Sequence, residues 1–179
     1  MFNKQKSIIM KKYFLMAIMA VAAITASAQV YVGGSLGFAS VSPEKGDTQT
    51  SFTIAPEAGY SLSDKVAIGI ALGFDYAKDD YTKITVSPYV RYNAIQFDRV
   101  NIFLDGAVDF ATYKPDGGDA QNEWGVGIKP GIEFKANDKI SLVSHIGFIG
   151  YKDQHKTEGT KTFGVDLHNT VTFGIYYNF

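Results

Sequence analysis

The last eighteen residues, Thr162-Phe-Gly-Val-Asp-Leu-His-Asn-Thr-Val-Thr-Phe-Gly-Ile-Tyr-Tyr-Asn-Phe179, decide the fold. Phe163, Val165, Leu167, Val171, Phe173, Ile175, Tyr177 and Phe179 fall on one parity. Thr162, Gly164, Asp166, His168, Thr170, Thr172, Gly174 and Asn178 fall on the other. Successive side chains of a strand point to opposite faces, whereas a helix repeats every 3.6 residues, so the stretch reads as one long strand with an apolar and a polar face.

The same alternation runs back through the chain. It marks eight segments, at 30–39, 51–62, 66–76, 83–93, 100–113, 123–134, 140–151 and 162–179, separated by stretches rich in Gly, Asp, Asn and Lys. No helical pattern of useful length lies between them. The expected fold is therefore all-β.

Assigning each segment its phase gives two faces of opposite character. The apolar face takes every second residue of Val30 to Phe38, Phe52 to Leu62, Val66 to Tyr76 and Ile84 to Tyr92. It continues through Val100 to Phe110, Trp124 to Phe134, Ile140 to Gly150 and Phe163 to Phe179, and carries no charged residue. The other face is mostly small, and holds Glu57, Asp75, Lys83, Arg91, Asp105, Asp109, Glu123, Lys129, Glu133 and Asp166 with His145 and His168. A water-soluble barrel turns its apolar side inward, but an eight-stranded interior only just holds side chains and has no room for so many Phe, Ile, Leu and Val. The inverse arrangement fits. Bulky apolar residues face lipid, where an Arg or Lys at mid-bilayer costs about 2–4 kcal/mol, and small and charged ones fill a narrow lumen. Only a closed barrel satisfies every backbone group of a sheet in lipid.

A repeat sets the topology. Ile54-Ala-Pro56-Glu-Ala58-Gly-Tyr60, Val86-Ser-Pro88-Tyr-Val90-Arg-Tyr92 and Ile128-Lys-Pro130-Gly-Ile132-Glu-Phe134 share one pattern, and Val171-Thr-Phe173-Gly-Ile175-Tyr-Tyr177 repeats it without proline. Short turns follow the first three, each closing on a like sequence: Asp64-Lys65-Val66, Asp98-Arg99-Val100 and Asp138-Lys139-Ile140. These are the even strands of an up-and-down meander, and Tyr60, Tyr92, Phe134 and Tyr177 form an aromatic girdle at one membrane interface. Turns 63–65, 94–99 and 135–139 are short, while 40–50, 114–122 and 152–161 are longer, with 77–82 brief. Short turns at one end and longer loops at the other are the periplasmic and external ends of an outer-membrane barrel. Pro56, Pro88 and Pro130 each remove a ladder donor, so a bulge or a water-satisfied carbonyl is expected near each.

Residues 1–28 are set aside from the fold. Lys4, Lys6, Lys11 and Lys12 precede an apolar run of 13 residues from Tyr13 to Thr25, and Ala26-Ser27-Ala28 is an A-x-A cleavage site before Gln29. Thirteen residues are too few for a bilayer-spanning helix. The domains are then a signal peptide, 1–28, and a barrel, 29–179. The whole chain has formal charge −1, and removing four lysines with the leader leaves −5. Such a charge argues against nucleic acid as a partner. The absence of cysteine excludes disulfides, thiolate zinc sites and a lipidated cysteine.

These features together resemble the small eight-stranded outer-membrane barrels of Gram-negative bacteria, the OmpA/OmpX type of outer-membrane β-barrel domain. The resemblance covers the leader and all eight segments. It implies an eight-stranded antiparallel up-and-down transmembrane barrel in the outer membrane, surrounded by outer-membrane lipid, without cofactor and without catalysis. An envelope-structural or surface-interaction role is expected. Phe173, Ile175, Tyr177 and Phe179 resemble the C-terminal signal read by the barrel-assembly machinery. The loops are shorter than in members whose loops protrude to bind partners, and they name no surface ligand.

The candidate chemistry lies in the lumen, in a polar network of Glu57, Arg91, Asp105, Asp109, Lys129, Glu133, His145, Asp166 and His168. Symmetric closure of loop 152–161 sets His145 opposite His168, the 134–140 turn sets Lys129 opposite His145, and Arg91 lies diagonal to Asp105. Buried charges must pair, so a plug of ion pairs is expected. The alternative is a narrow pore, cation-preferring because acids outnumber bases. Tyr31, Tyr89, Phe103, Tyr113, Tyr151 and Tyr176 fill the bore against it. A lipid-modifying enzyme is a further alternative, since Asp166, His168 and Thr170 share a face with His145 opposite. No Ser stands beside either His on the lumen face, and a His145–His168 metal site has no convincing third ligand. The loops show no exposed apolar anchor. Asn169, on the lipid face, has no evident role.

Overall fold

The computed structural model describes residues 29–41, 49–77, 80–154 and 160–179, with side chains for all of these except 38–41, 49–51, 154, 160 and 166–170. The expected leader with its cleavage residues Ala26 and Ala28 lies outside the described residues; Gln29 lies within them. Eight strands follow in order: β1 Val30–Val41, β2 Gln49–Ser61, β3 Val66–Ala77, β4 Tyr81–Gln96, β5 Val100–Pro115, β6 Gln121–Lys135, β7 Ile140–Gln154 and β8 Thr160–Asn178. Each pairs antiparallel with its chain neighbour, and β1 closes on β8, giving one up-and-down barrel. Closure runs from Tyr31 opposite Asn178 to Leu36 opposite Phe173.

The wall is inside out relative to a soluble barrel. Ile68, Ile70, Leu72 and Phe74 of β3 and Val171, Phe173 and Ile175 of β8 are exposed on the outer surface. Facing inward and buried are Arg91, Asp105, Glu123, Ser87 and Asn101. Buried apolar residues on the same side are mostly aromatic or small: Tyr31, Tyr89, Phe103, Tyr176, Ala67 and Ala107, with Val143. The expected girdle residues Tyr92, Phe134 and Tyr177 are exposed at the short-turn end, with Tyr60 half-buried.

Two of the short turns share one chemistry. The Ser63 hydroxyl accepts from the N–H groups of Lys65 and Val66 at 3.3 and 3.1 Å, and the Asn137 side-chain oxygen accepts from those of Lys139 and Ile140 at 2.9 and 2.8 Å. Short polar side chains of this kind stand in for a missing backbone acceptor. In the third turn Phe97 takes the equivalent place, and a bulge between Asn93 and Ile95 precedes it.

The three prolines follow one rule. Pro56, Pro88 and Pro130 stay in register with the preceding strand, opposite Gly34, Ile70 and Leu104. Toward the following strand the pairing skips them, from Ile54 to Glu57, from Val86 to Tyr89 and from Ile128 to Gly131. Of the two expected outcomes, a bulge is found only across Pro130, where the register shifts; across Pro56 and Pro88 the register is unchanged. A missing N–H deletes a ladder bond without demanding an extra residue, so a gap suffices.

Gly147, with φ of 81°, lies in the stretch of β7 that the pairing skips alongside Lys129 and Pro130. A left-handed residue in a strand is a bulge position suited to glycine. Beyond it the phase of β7 inverts. Phe148, expected on the lipid face, is buried in the lumen, while Ile149 is exposed. Tyr151, expected in the bore, instead packs its ring 5.3 Å from that of the exposed Trp124.

Candidate functional site: the lumen plug

Arg91 is the centre of the lumen. Its Nε and Nη2 donate to the two carboxylate oxygens of Asp105 at 2.7 and 2.8 Å, a bidentate arrangement among the stronger protein hydrogen bonds. The register places Asp105 directly opposite Arg91 on β5. The expected diagonal offset is thus corrected, because the bulge at Asn93 takes up the odd residue of the turn. Arg91 also reaches Glu57 on β2 at 3.3 Å and the Tyr176 hydroxyl on β8 at 3.3 Å. Glu57 accepts from Tyr176 at 2.6 Å and from Tyr89, whose hydroxyl lies 2.7 Å from that of Tyr31. Four rings surround the guanidinium, Phe103 nearest at 3.9 Å to its centroid, with Tyr89, Tyr176 and Tyr31 within 5.6 Å. Aromatic faces attract a cation most strongly where water is excluded.

His145 completes the cluster from β7. Its Nε2 lies 2.9 Å from Asp105 and 3.5 Å from Arg91. A carboxylate can only accept, so Nε2 carries the proton toward Asp105. The expected neighbours of His145 are both corrected. Its register partner on β8 is Thr172, not His168, because pairing jumps from Ile146 with Val171 to Phe148 with Asp166. On β6 it lies opposite Gly131, and Lys129 turns instead to Asp109 at 2.7 Å. The side chains of Asp166, His168, Asn169 and Thr170 lie outside the described residues.

Smaller networks flank the cluster. Toward the loops, Asp109 also accepts from Ser87 at 2.5 Å, Asp75 from Thr53 at 2.6 Å, and Glu123 from Lys83 at 2.5 Å. Toward the short turns, Glu133 accepts from Asn101 at 2.8 Å. The cluster separates two vestibules. One, of about 570 Å³, opens at the short-turn end and has Arg91, Tyr31 and Tyr176 at its floor. The other, of about 280 Å³, opens toward the loops and has Glu57, Tyr89, Asp105 and His145 at its floor.

Of the expected network, Glu57, Arg91, Asp105 and His145 form one cluster, and Asp109 with Lys129 and Glu133 with Asn101 lie to either side of it. The tyrosine hydroxyls were expected only as bulk; they are the acceptors and donors that close the network. The signal for this is a pairing of inward aromatics with glycines. Tyr31, Tyr89, Phe103 and Tyr176 lie opposite Gly59, Gly69, Gly131 and Gly33 on neighbouring strands. A Cβ added at any of these glycines would lie 2.2–2.4 Å from the ring or hydroxyl beside it. Each ring occupies the space its glycine leaves. Lys152, beyond the expected strand end, also turns inward, with its ammonium 4.4 Å from the Phe148 ring centroid.

A closed eight-stranded barrel with an apolar outer wall and an ion-paired lumen is a small outer-membrane barrel. The family of the outer membrane protein beta-barrel domain matches residues 13–179, and the chain belongs to it. Among solved structures, Neisserial surface protein A superposes with a TM-score of 0.62 at 16% identity, covering 86% of this chain and 98% of that one. The N-terminal β-barrel domain of Pseudomonas aeruginosa OprF gives a TM-score of 0.58 at 12% identity, covering 84% and 98%. At such identities the likeness shows the fold alone. No curated protein matches in sequence. Family and fold place the chain in the outer membrane.

Proposed function

We propose that this barrel is a non-catalytic component of the outer membrane, closed to conduction, with an envelope-structural or surface-contact role. The observation that carries this reading is the Arg91 cluster, which fills the bore between the two vestibules with Glu57, Asp105, His145 and three tyrosines. Removing one partner of a buried ion pair by mutation costs about 3–5 kcal/mol, because the other charge is left buried and uncompensated. The absence of catalysis is supported by the commitment of His145 Nε2 to Asp105, where no hydroxyl nucleophile of the described residues bonds it. On this reading the leader is cleaved between Ala28 and Gln29. The outward residues Phe173, Ile175, Tyr177 and Phe179 at the end of the barrel are then its assembly signal.

Planar-bilayer recording of the refolded protein tests the closed lumen. A silent bilayer is expected at neutral pH. Discrete conductance steps with cation preference would replace this reading with the narrow pore. An altered lipid A or phospholipid profile on expression would replace it with a lipid-modifying enzyme.

A further inference from the structure

Four backbone hydrogen bonds repeat around the short-turn end. The N–H groups of Ser61, Asn93, Lys135 and Asn178 donate to the carbonyls of Gln29, Lys65, Arg99 and Lys139 at 2.7, 2.8, 2.8 and 2.7 Å. Each donor directly follows a girdle aromatic: Tyr60, Tyr92, Phe134 and Tyr177. Lys65, Arg99 and Lys139 therefore occupy equivalent places on the rim, and Gln29 takes the fourth place without a charged side chain. The Lys139 ammonium lies 5.9 Å from the Tyr177 ring centroid.

We propose that this rim binds the anionic headgroups of phospholipids in the leaflet that the short turns face. Its three cations are exposed, and none takes part in an ion pair among the described residues. An acid precedes each of them, Asp64, Asp98 and Asp138. The order is the same in every turn: the acid at the turn, the base one residue nearer the strand and so nearer the bilayer. The Ser63 and Asn137 caps fix that order in two of the turns. Cations thus lie at headgroup depth, with anions farther out in water. Aromatic rings settle at that same depth, and long basic side chains reach a lipid phosphate from it while their stems stay in apolar surroundings. Lys135, exposed and next to Phe134, strengthens the Arg99 sector, whereas the Gln29 sector has no side-chain cation.

The test places one tryptophan at this rim, by Tyr92→Trp in a Trp124→Phe background, and refolds the protein into phosphatidylcholine vesicles. Quenching is compared between brominated phosphatidylglycerol and brominated phosphatidylcholine at equal mole fraction. The rim tryptophan should report about a threefold local enrichment of the anionic lipid, falling as salt rises. The enrichment should fall in K65Q/R99Q/K139Q and grow in D64N/D98N/D138N. Native Trp124, at the other end of the barrel, should report none. Each variant is checked for its folded gel mobility; if the glutamine variant does not fold, the asparagine variant decides. Equal quenching by both lipids, or enrichment unchanged in whichever variant decides, overturns the proposal. So does loss of enrichment in inorganic phosphate at an ionic strength where chloride leaves it intact, which would assign the rim to free phosphate.

Discussion

At the scale of the residue, the lumen is built from aromatic rings set against glycines. Phe103 is fully buried, and the Cβ of an alanine at position 131 would fall 2.2 Å from its ring and 2.9 Å from the Ser144 carbonyl. The backbone oxygen cannot step aside, and Phe103 lies against Arg91. Gly131→Ala should therefore destabilise the barrel by about 1–3 kcal/mol, the usual cost of overpacking, measured as a lower urea midpoint in lipid vesicles. An unchanged midpoint would mean that the ring does not occupy this space. Sequence parity was enough to put Arg91, Asp105 and Glu57 inside, because charge is expelled from lipid. It could not choose their partners. That choice depends on rings and hydroxyls reaching across two or three strands, and a glycine on the polar face reads equally well as mere filling.

At the scale of the strand, most elements were legible and the registers less so. Alternation located all eight strands, since each has one face in lipid. β4 gained three residues beyond the expected end at Asn93, and β7 gained three beyond Tyr151. Register failed where a single residue was added. The bulge at Asn93 moved Asp105 from diagonal to opposite, and Gly147 turned Phe148 inward and Tyr151 outward. A one-residue slip flips every later side chain, and no periodicity marks the slip beforehand. Gly147 is also a test of the bulge. With φ of 81° it should not tolerate a Cβ, and Gly147→Ala should cost about 1–2 kcal/mol. Gly164→Ala, where nothing lies within 4 Å of the added carbon, should leave the same unfolding midpoint in place. Equal effects at the two positions would remove the bulge from the account.

At the scale of the molecule, one arrangement explains hydropathy, charge and closure together. A mean hydropathy of −0.03 over the whole chain averages the apolar first 28 residues and the polar loops together with an outer wall without charge and a lumen full of it. Closing β1 on β8 leaves no sheet edge along the paired stretch, as a lipid environment requires. The chain has no cysteine, so a single introduced thiol can carry a spin label at any chosen position. The measurement that tests the inside-out barrel most directly is a label scan along 171–177 of β8 in lipid vesicles. Labels at 171, 173, 175 and 177 should collide with oxygen dissolved in the bilayer, and those at 172, 174 and 176 should be screened from it, with a period of two. Uniform accessibility, or oxygen collisions at the even positions, would contradict a barrel whose apolar wall faces lipid.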